Sequence, residues 1–237
     1  MSITRAMTMA AGLGTRMRPL TDTRCKAMVE LGGKPLIDWT LDKFAAAGVE
    51  QAVVNVHHFA DALETHLAAR TRPEILISDE RDQLLDTGGG LVKAAPRLGD
   101  EPIFVANIDA VWRDGRRGEL DQLADAFDPE RMDFLLMLSP LSRQLGFDGA
   151  GDFFLEADGR IRRRGAAARA PYAYAGVQVL HPRVLRGRRI EPFSTNRLWD
   201  EALESGRLFA RVMDAFWMHV GDPASRDAAE QRLTSGG

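Results

Sequence analysis

Short apolar runs alternate along the first half of the chain with segments in which apolar residues recur at helical spacing. Four apolar runs predict strands, at residues 4–10, 52–56, 74–78 and 102–107. Helical spacing between them predicts helices over 35–47 and 59–69 and from about residue 87. Because a crossover helix returns the chain in the same direction, this alternation predicts a parallel sheet of the βαβ type.

The alternation of predicted strands and helices ends near residue 150. The run at 134–139 continues the sheet, 151–161 reads as a hairpin turning at Asp158-Gly159, and 174–180 is a later strand. Two helices, near 195–205 and 223–233, with a strand at 207–213 between them, end the pattern. The predicted fold is α/β: a Rossmann-like mixed, mainly parallel sheet flanked by helices, within one domain over residues 1–237.

Composition narrows the classes of partner. A chain of 237 residues with 45% apolar residues can bury one substantial core, and its net charge of −3 gives no global attraction to nucleic acid or anionic lipid. No apolar run is long enough to span a bilayer. The single cysteine, Cys25, excludes an internal disulfide and favours a reducing compartment, so we expect a cytoplasmic protein without nucleic-acid or membrane partners.

A glycine-rich segment with several cations, AAGLGTRMRPLTDTRCKAM at 10–28, follows the first strand. Glycines there let backbone N–H groups approach a ligand closely, and nearby cations suit a polyphosphate. Met17 occupies the third glycine position of the dinucleotide fingerprint, and the ending of a P-loop is absent. From these residues alone, a plain turn with solvated arginines stays open.

The same segment resembles the nucleotide loop of the sugar-1-phosphate nucleotidyltransferases, AAGxGTRxxPLT followed by a proline-lysine pair. Further segments match in order: GGKPLIDW at 32–39, LLDTGGGLVKA at 84–94, VANIDAVW at 105–112 and WMHVGDP at 217–223. Within that family, the DTGGG loop and the segments at 175–182 and 193–208 are most similar to the N-acetylmuramate-1-phosphate uridylyltransferases. The resemblance covers nearly the whole chain.

That resemblance implies a glycosyltransferase-A-like fold, with a nucleotide-binding half over about 1–140 and a sugar-binding half over about 141–237. It also implies transfer of a nucleotidyl group from a nucleoside triphosphate, UTP, to a sugar 1-phosphate, N-acetylmuramate 1-phosphate. Pyrophosphate is released, Mg²⁺ is the cofactor, and the product serves cell-wall sugar recycling. The state of assembly, monomer or homodimer, stays open.

The resemblance also assigns roles to residues. Arg16, Lys26 and Asp109 are the expected catalytic residues, with Arg16 on the β- and γ-phosphates and Lys26 between the α-phosphate and the sugar phosphate. The expected nucleotide-binding residues are Gly12, Gly14, Thr15, Arg16, Lys26, Thr87 and Gly88. Asn107 and Gly151 are expected near the sugar phosphate, and Asp109 and His219 at the metal. Thr87 is also predicted to cap the helix that begins there.

Several positions depart from the family pattern. Relatives usually read Asp-Val-Gly-Thr where this chain has His219-Val220-Gly221-Asp222, and imidazole is a poor ligand for magnesium. Asp222 before Pro223 reads as a helix N-cap, and Cys25 replaces a proline.

The region at 163–170 lacks the carboxylate that often contacts the sugar in this family. Mannose-1-phosphate guanylyltransferase, glucose-1-phosphate uridylyltransferase and a non-catalytic nucleotide-sugar sensor therefore stay open as alternatives.

Overall fold

The structure, a computed structural model, describes residues 1–235 and forms fourteen β-strands and six α-helices in that range. The strands are β1 Arg5–Met9, β2 Glu30–Leu31, β3 Lys34–Pro35, β4 Gln51–Val56, β5 Glu74–Asp79, β6 Ile103–Asn107, β7 Ala110–Trp112, β8 Phe134–Pro140, β9 Gln144–Leu145, β10 Phe153–Leu155, β11 Ile161–Arg163, β12 Tyr172–Leu180, β13 Leu208–Val212 and β14 Trp217–His219. The helices are α1 Leu36–Ala46, α2 Ala60–Leu67, α3 Asp86–Leu98, α4 Glu119–Ala126, α5 Asn196–Glu204 and α6 Pro223–Thr234.

The main sheet has the strand order β5-β4-β1-β6-β12-β8-β13, and the β10–β11 hairpin joins it at the start of β12. Strands β5, β4, β1 and β6 are parallel, whereas β12 is antiparallel to both β6 and β8. The predicted mixed sheet flanked by helices is confirmed. The run at 134–139 does continue the sheet, but as β8, which lies beyond β12 rather than beside β6.

Helices cover both faces of this sheet because successive strand residues point to opposite sides. Ala6 and Phe104 belong to the core under α1, α2 and α4, while their neighbours Met7 and Val105 belong to the core under α3 and α5. Each large side chain fully buried in these layers contributes about 1.5–3 kcal/mol to folding. The two cores therefore fix the sheet as a rigid support for the loops at its edge.

A third, smaller core supports the glycine-rich segment. Helix α6 packs through Leu233 against Leu36 and Met218, and Met17 from the glycine-rich segment is fully buried among them. Strands β7, β14 and β9 form a separate sheet beside this core. The late strand and helix of the chain thus anchor a loop that lies near its beginning.

Three consecutive glycines let the start of α3 pack tightly against its neighbours. A Cβ atom on Gly88 would lie 2.4 Å from the Phe193 ring, and one on Gly89 would lie 2.2 Å from the carbonyl oxygen of Glu191. The N–H groups of Gly88 and Gly89 both donate to the carbonyl of Phe193. These glycines are needed to seat α3 on the segment that precedes α5.

Thr87 does not cap α3, so that prediction is wrong. The helix begins at Asp86, and the Thr87 hydroxyl accepts a hydrogen bond from the backbone N–H of Thr195 at 2.8 Å. The reason is that Thr87 already lies inside the first turn, where its side chain points across to the start of α5. Thr87 therefore connects two helices.

We expect Gly89→Ala to destabilise the protein by about 1–3 kcal/mol, because the added methyl group collides with the Glu191 backbone, which cannot move without displacing the 191–193 segment. Thermal unfolding should then begin about 2–10 °C lower. Gly115→Ala is the matched control, because a Cβ atom at Gly115 has nothing within 4 Å and the backbone there is not in the left-handed region. Equal melting temperatures for the two variants would contradict this account of the glycines.

Candidate active site

The order of the strands places the loops after β1 and β6 side by side. From β1 the chain proceeds to β4 and β5 on one side, and then returns to β6 on the other. Such a switch point opens a crevice at the carboxyl ends of parallel strands. A cleft of about 580 Å³ lies there. Its lining comprises Met9, Ala11, Gly12, Leu13, Gly14, Thr15, Arg16, Lys26, Asn55, Glu80, Leu84, Asp86, Thr87, Asn107, Ile108, Asp109 and Gly221.

The glycine-rich segment turns sharply over this cleft. Gly14 has a φ of 65°, and a Cβ atom there would lie 3.0 Å from the Cβ of Lys26 and 3.1 Å from Thr21. The Thr21 hydroxyl donates to the Gly14 carbonyl at 2.8 Å, which closes the turn. Within residues 1–235, the backbone N–H groups of residues 12–16 donate to no protein acceptor. They are therefore available to an anion.

A buried polar network, which the sequence did not predict, holds the start of this segment. The Asn55 side-chain oxygen accepts hydrogen bonds from the N–H groups of Ala10 and Ala11 at 2.6 and 3.3 Å. Its amide nitrogen donates to Glu80 at 2.8 Å, and the other oxygen of Glu80 accepts from the N–H of Leu85 at 3.1 Å. Only the polar residue within the buried strand 52–56 hinted at it. The network ties three loops of the cleft together.

Lys26 and Asp109 face each other at the centre of the cleft. The Lys26 ammonium donates to Oδ2 of Asp109 at 2.7 Å, and both side chains are largely buried. Burial alone would raise the pKa of Asp109, but the Lys26 charge and His219 hold it well below its usual value. Strand β7 begins immediately after Asp109, so a role as a helix N-cap is excluded. Asp109 is an anion held beside a cation.

His219 contacts the same oxygen of Asp109 that accepts from Lys26. Its Nδ1 lies 3.0 Å from the carbonyl oxygen of Gly146, and its Nε2 lies 3.5 Å from Oδ2 of Asp109. Burial opposes protonation of the ring, but Asp109 and the Gly146 carbonyl raise the pKa of His219 above its usual value. Both ring nitrogens therefore face protein groups, an arrangement that orients a carboxylate.

Asp222 is occupied elsewhere, as predicted. One of its oxygens accepts from the backbone N–H of Ser225 at 2.9 Å and the other from the Ser225 hydroxyl at 2.6 Å, so it caps α6. Within the part of the chain that the structure describes, no group of three or more histidine, cysteine, aspartate or glutamate residues is placed to hold a metal. Asp109 is the carboxylate of the cleft that pairs with Lys26.

Arg16 and Cys25 have contrasting surroundings. The Arg16 side chain is exposed at the mouth of the cleft and forms no ion pair within residues 1–235, whereas Arg18 pairs with Asp22 on the outer surface. Cys25 is only 1% exposed, and burial raises the pKa of its thiol. Arg16 is placed to meet a ligand, and Cys25 is an inert packing residue.

A second cavity of about 320 Å³ adjoins the first and shares Met9, Asp86, Thr87 and Asn107 with it. Its other lining residues are Val105, Asp152, Phe153, Arg163, Tyr174, Gln178, Ser194, Thr195, Asn196 and Trp199. The two cavities form one continuous cleft in which Asn107 lies at the junction. This second chamber is built largely from β10, β11, β12 and α5.

Three predicted site residues lie outside the lining of both chambers: His219, which contacts Asp109 as described above, Gly88 and Gly151. Gly88 is packed against Phe193, as described above. Gly151 has a φ of 84°, and a Cβ atom there would lie 2.2 Å from the carbonyl oxygen of Ala170. The Gly151 carbonyl accepts from the Arg164 guanidinium at 2.9 Å. The remaining nucleotide-loop, lysine, aspartate and asparagine positions are brought together in the cleft.

No helix formed by residues 1–235 has the length and apolar character needed to cross a membrane.

Comparison with known proteins extends these observations. The nucleotidyl transferase family matches residues 5–147. The N-acetylmuramate alpha-1-phosphate uridylyltransferase of Caulobacter vibrioides is 50% identical over 232 residues, which cover 96% of each chain. The protein of the same description from Neisseria meningitidis serogroup B is 31% identical, over 92% of this chain and 93% of its own.

A solved structure shows the same fold at low sequence identity. The inositol-1-phosphate CTP transferase from T. maritima superposes with a TM-score of 0.78 and 17% identity, covering 100% of this chain and 98% of its own. That likeness supports the fold alone, whereas the sequence matches decide the family. As the sequence resemblance implied, the chain belongs to the nucleotidyl transferase family.

Proposed function

We propose that the chain transfers the uridylyl group of UTP to N-acetylmuramate 1-phosphate and releases pyrophosphate. The observation that carries this proposal is the Lys26–Asp109 pair, which lines the first chamber together with the glycine-rich segment and with Asn107, the residue at the junction with the second chamber. The substrates are those named for the relative that is 50% identical. A cytoplasmic role in cell-wall sugar recycling fits these substrates.

The linings of the two chambers support the proposal that the two halves of the chain bind different substrates. The first chamber is lined, apart from Gly221, by residues before position 140, and it would hold the nucleoside triphosphate. Most residues of the second chamber follow position 150, and it would hold the sugar. Residues 1–140 and 141–237 are therefore proposed as the nucleotide-binding and sugar-binding halves of one domain.

In the proposed reaction, an oxygen of the sugar phosphate forms a bond to the α-phosphorus while the bond from that phosphorus to the bridging oxygen of the pyrophosphate breaks. Both reactants are anions, so charge neutralisation and alignment supply most of the catalysis. Lys26 would bridge the α-phosphate and the sugar phosphate, and Asn107 would donate to the latter. Arg16, with the N–H groups of Gly12, Gly14 and Thr15, would hold the β- and γ-phosphates.

A divalent metal suits this site. Asp109 offers a hard carboxylate oxygen beside the phosphate chamber, and magnesium is commonly held by one or two carboxylates together with substrate phosphates. Asp109 would hold Mg²⁺ with those phosphates, and the bound ion would neutralise charge on them. His219 is a poor ligand for magnesium, and its contacts with Gly146 and Asp109 give it the role of orienting the carboxylate.

We expect pyrophosphate release in Mg²⁺ to be strongest with UTP and N-acetylmuramate 1-phosphate. The panel pairs UTP, CTP, GTP, ATP and dTTP with N-acetylmuramate, mannose and glucose 1-phosphates. Strongest release with GTP and mannose 1-phosphate, or with UTP and glucose 1-phosphate, would replace the proposed substrates and keep the reaction. Absence of release from every pair, in folded protein, would favour the non-catalytic sensor.

We expect Lys26→Met to lower kcat/KM roughly 10²- to 10³-fold, because it removes the cation between the two phosphates. It should also destabilise the fold by about 3–5 kcal/mol, because Asp109 loses its ammonium partner in a buried site. The double variant Lys26→Met/Asp109→Asn removes the stranded charge and should recover stability without activity. Thermal unfolding and pyrophosphate release measure both effects.

The control for this pair is Lys34→Met. Lys34 pairs with Asp42 at the surface, and such pairs contribute only about 0–1 kcal/mol, so activity and stability should change little. Recovery of activity together with stability in the double variant would mean that the Lys26–Asp109 pair is structural.

We expect Arg16→Ala to lower kcat/KM for UTP roughly 10- to 100-fold, because a charge-assisted hydrogen bond to a phosphate contributes about 1.5–3 kcal/mol. Arg18→Ala is the matched control on the same segment, since Arg18 pairs with Asp22 outside the cleft. Initial rates at varied UTP measure the difference. Similar losses in the two variants would show that the segment provides only a general positive field.

A further inference from the structure

The second chamber contains a single cation among the residues that the structure describes, Arg163 on β11. The other charged side chains that line it are the carboxylates of Asp86 and Asp152. A neutral sugar ring needs only hydrogen-bond donors and acceptors, whereas a sugar that carries a carboxylate would be repelled by both aspartates. An anionic substituent entering this chamber therefore needs Arg163 as its partner.

The guanidinium of Arg163 is held in place by polar groups of α5 and by two aromatic rings. Its Nε donates to Asp200 at 2.6 Å, and its Nη2 donates to the backbone and side-chain oxygens of Asn196 at 3.3 and 3.2 Å. The rings of Phe153 and Trp199 lie 5.6 and 6.0 Å from its central carbon. These contacts orient the group before any ligand arrives.

One nitrogen of this fixed group is left over. Within residues 1–235, Nη1 of Arg163 donates to no protein acceptor. Arg163 lines the second chamber and its side chain is 35% exposed, so the guanidinium is open to a ligand. A carboxylate bound there would receive a charge-assisted hydrogen bond without displacing Asp200 or Asn196.

The position of Arg163 also fits the direction in which a sugar phosphate would lie. Asn107 lines both chambers, so a phosphate near Lys26 and Asp109 would place its sugar ring in the second chamber. Arg163 lines that chamber alone, beyond the junction. A cation here meets a substituent on the ring and not the phosphate.

N-acetylmuramate differs from N-acetylglucosamine by a lactyl ether on O3, and that ether carries a carboxylate. We infer that Arg163 is the specificity-determining residue of the second chamber and that it binds the lactyl carboxylate of the sugar substrate. This inference rests on the proposed function, since it assigns a residue to one group of the proposed substrate. It also gives a role to the segment at 163–170, where the family's usual sugar-contacting carboxylate is absent.

The test compares two sugars on the same preparation of protein. With UTP, kcat/KM is measured for N-acetylmuramate 1-phosphate and for N-acetylglucosamine 1-phosphate, which lacks only the lactyl group. For Arg163→Met we expect kcat/KM for the lactyl sugar to fall roughly 10- to 100-fold, the equivalent of one charge-assisted hydrogen bond. The value for the other sugar should change within about threefold. The ratio of kcat/KM for the lactyl sugar to kcat/KM for the other sugar does not depend on what fraction of the protein is folded.

Arg162→Met is the matched control. Arg162 is the neighbouring residue on β11, its exposed side chain lies over the Phe154 ring, and the alternation of strand residues turns it to the other face. Its ratio should equal that of the wild-type protein. Arg163→Gln keeps a donor for Asp200 and Asn196 but removes the charge, so it should fold where the methionine variant does not and should lower the ratio equally.

Two results would overturn the inference, and they are distinguishable. If the wild-type protein turns over the lactyl sugar in preference and the Arg163 variants lose both sugars equally, Arg163 is a structural link between β11 and α5 and the proposed function stands. If the wild-type protein turns over another sugar 1-phosphate and rejects N-acetylmuramate 1-phosphate, the proposed function fails and this inference fails with it.

Discussion

A buried asparagine holds the edge of the sheet on which the cleft is built. Asn55 is the penultimate residue of β4, is 2% exposed and satisfies two backbone N–H groups at the point where β1 becomes the glycine-rich segment. Without it these donors would be buried and unpaired, which costs about 1–3 kcal/mol for each group. Its link through Glu80 to the N–H of Leu85 adds the start of α3 to the same network. The three loops of the first chamber are consequently fixed relative to one another.

A second constraint is that the charged side chains in the cleft must be stable when no ligand is bound. An isolated lysine or aspartate at these depths would be strongly disfavoured, whereas Lys26 and Asp109 neutralise one another at 2.7 Å and His219 contacts the same carboxylate oxygen at 3.5 Å. Burial and the histidine both restrict the positions that the pair can adopt. The site is therefore preorganised, and a polyphosphate with its metal would exchange one set of ionic contacts for another.

Local patterns predicted most of the elements, and a motif predicted which residues come together in the first chamber, because both signals lie within short stretches of chain. The strands of the parallel half and the residues Gly14, Lys26 and Asp109 belong to this class. The insertion of β12 between β6 and β8 was not predicted, because it depends on pairing between residues far apart in sequence. The structural role of Glu80 was not predicted for the same reason, since it depends on a hydrogen bond from Asn55, 25 residues away. Gly88 and Gly151 were predicted from the motif as ligand-binding residues, but neither lines the cleft. Close packing against Phe193 and Ala170 explains why each position is a glycine.

The two chambers are formed by different parts of the chain. The residues proposed to carry out the reaction are therefore distinct from those proposed to select the sugar. The first chamber is formed by backbone N–H groups and by side chains fixed in buried networks, so a substitution there disturbs several loops at once. The second chamber relies on side chains of β11 and α5, and the β10–β11 hairpin joins the main sheet through the pair formed by Phe153 and Tyr172. A side chain on that hairpin can change without altering the registers of β1, β4 and β6. A scaffold of this kind could keep one reaction while its sugar changes, because the residues proposed to meet the sugar lie outside the buried network that holds the loops of the first chamber.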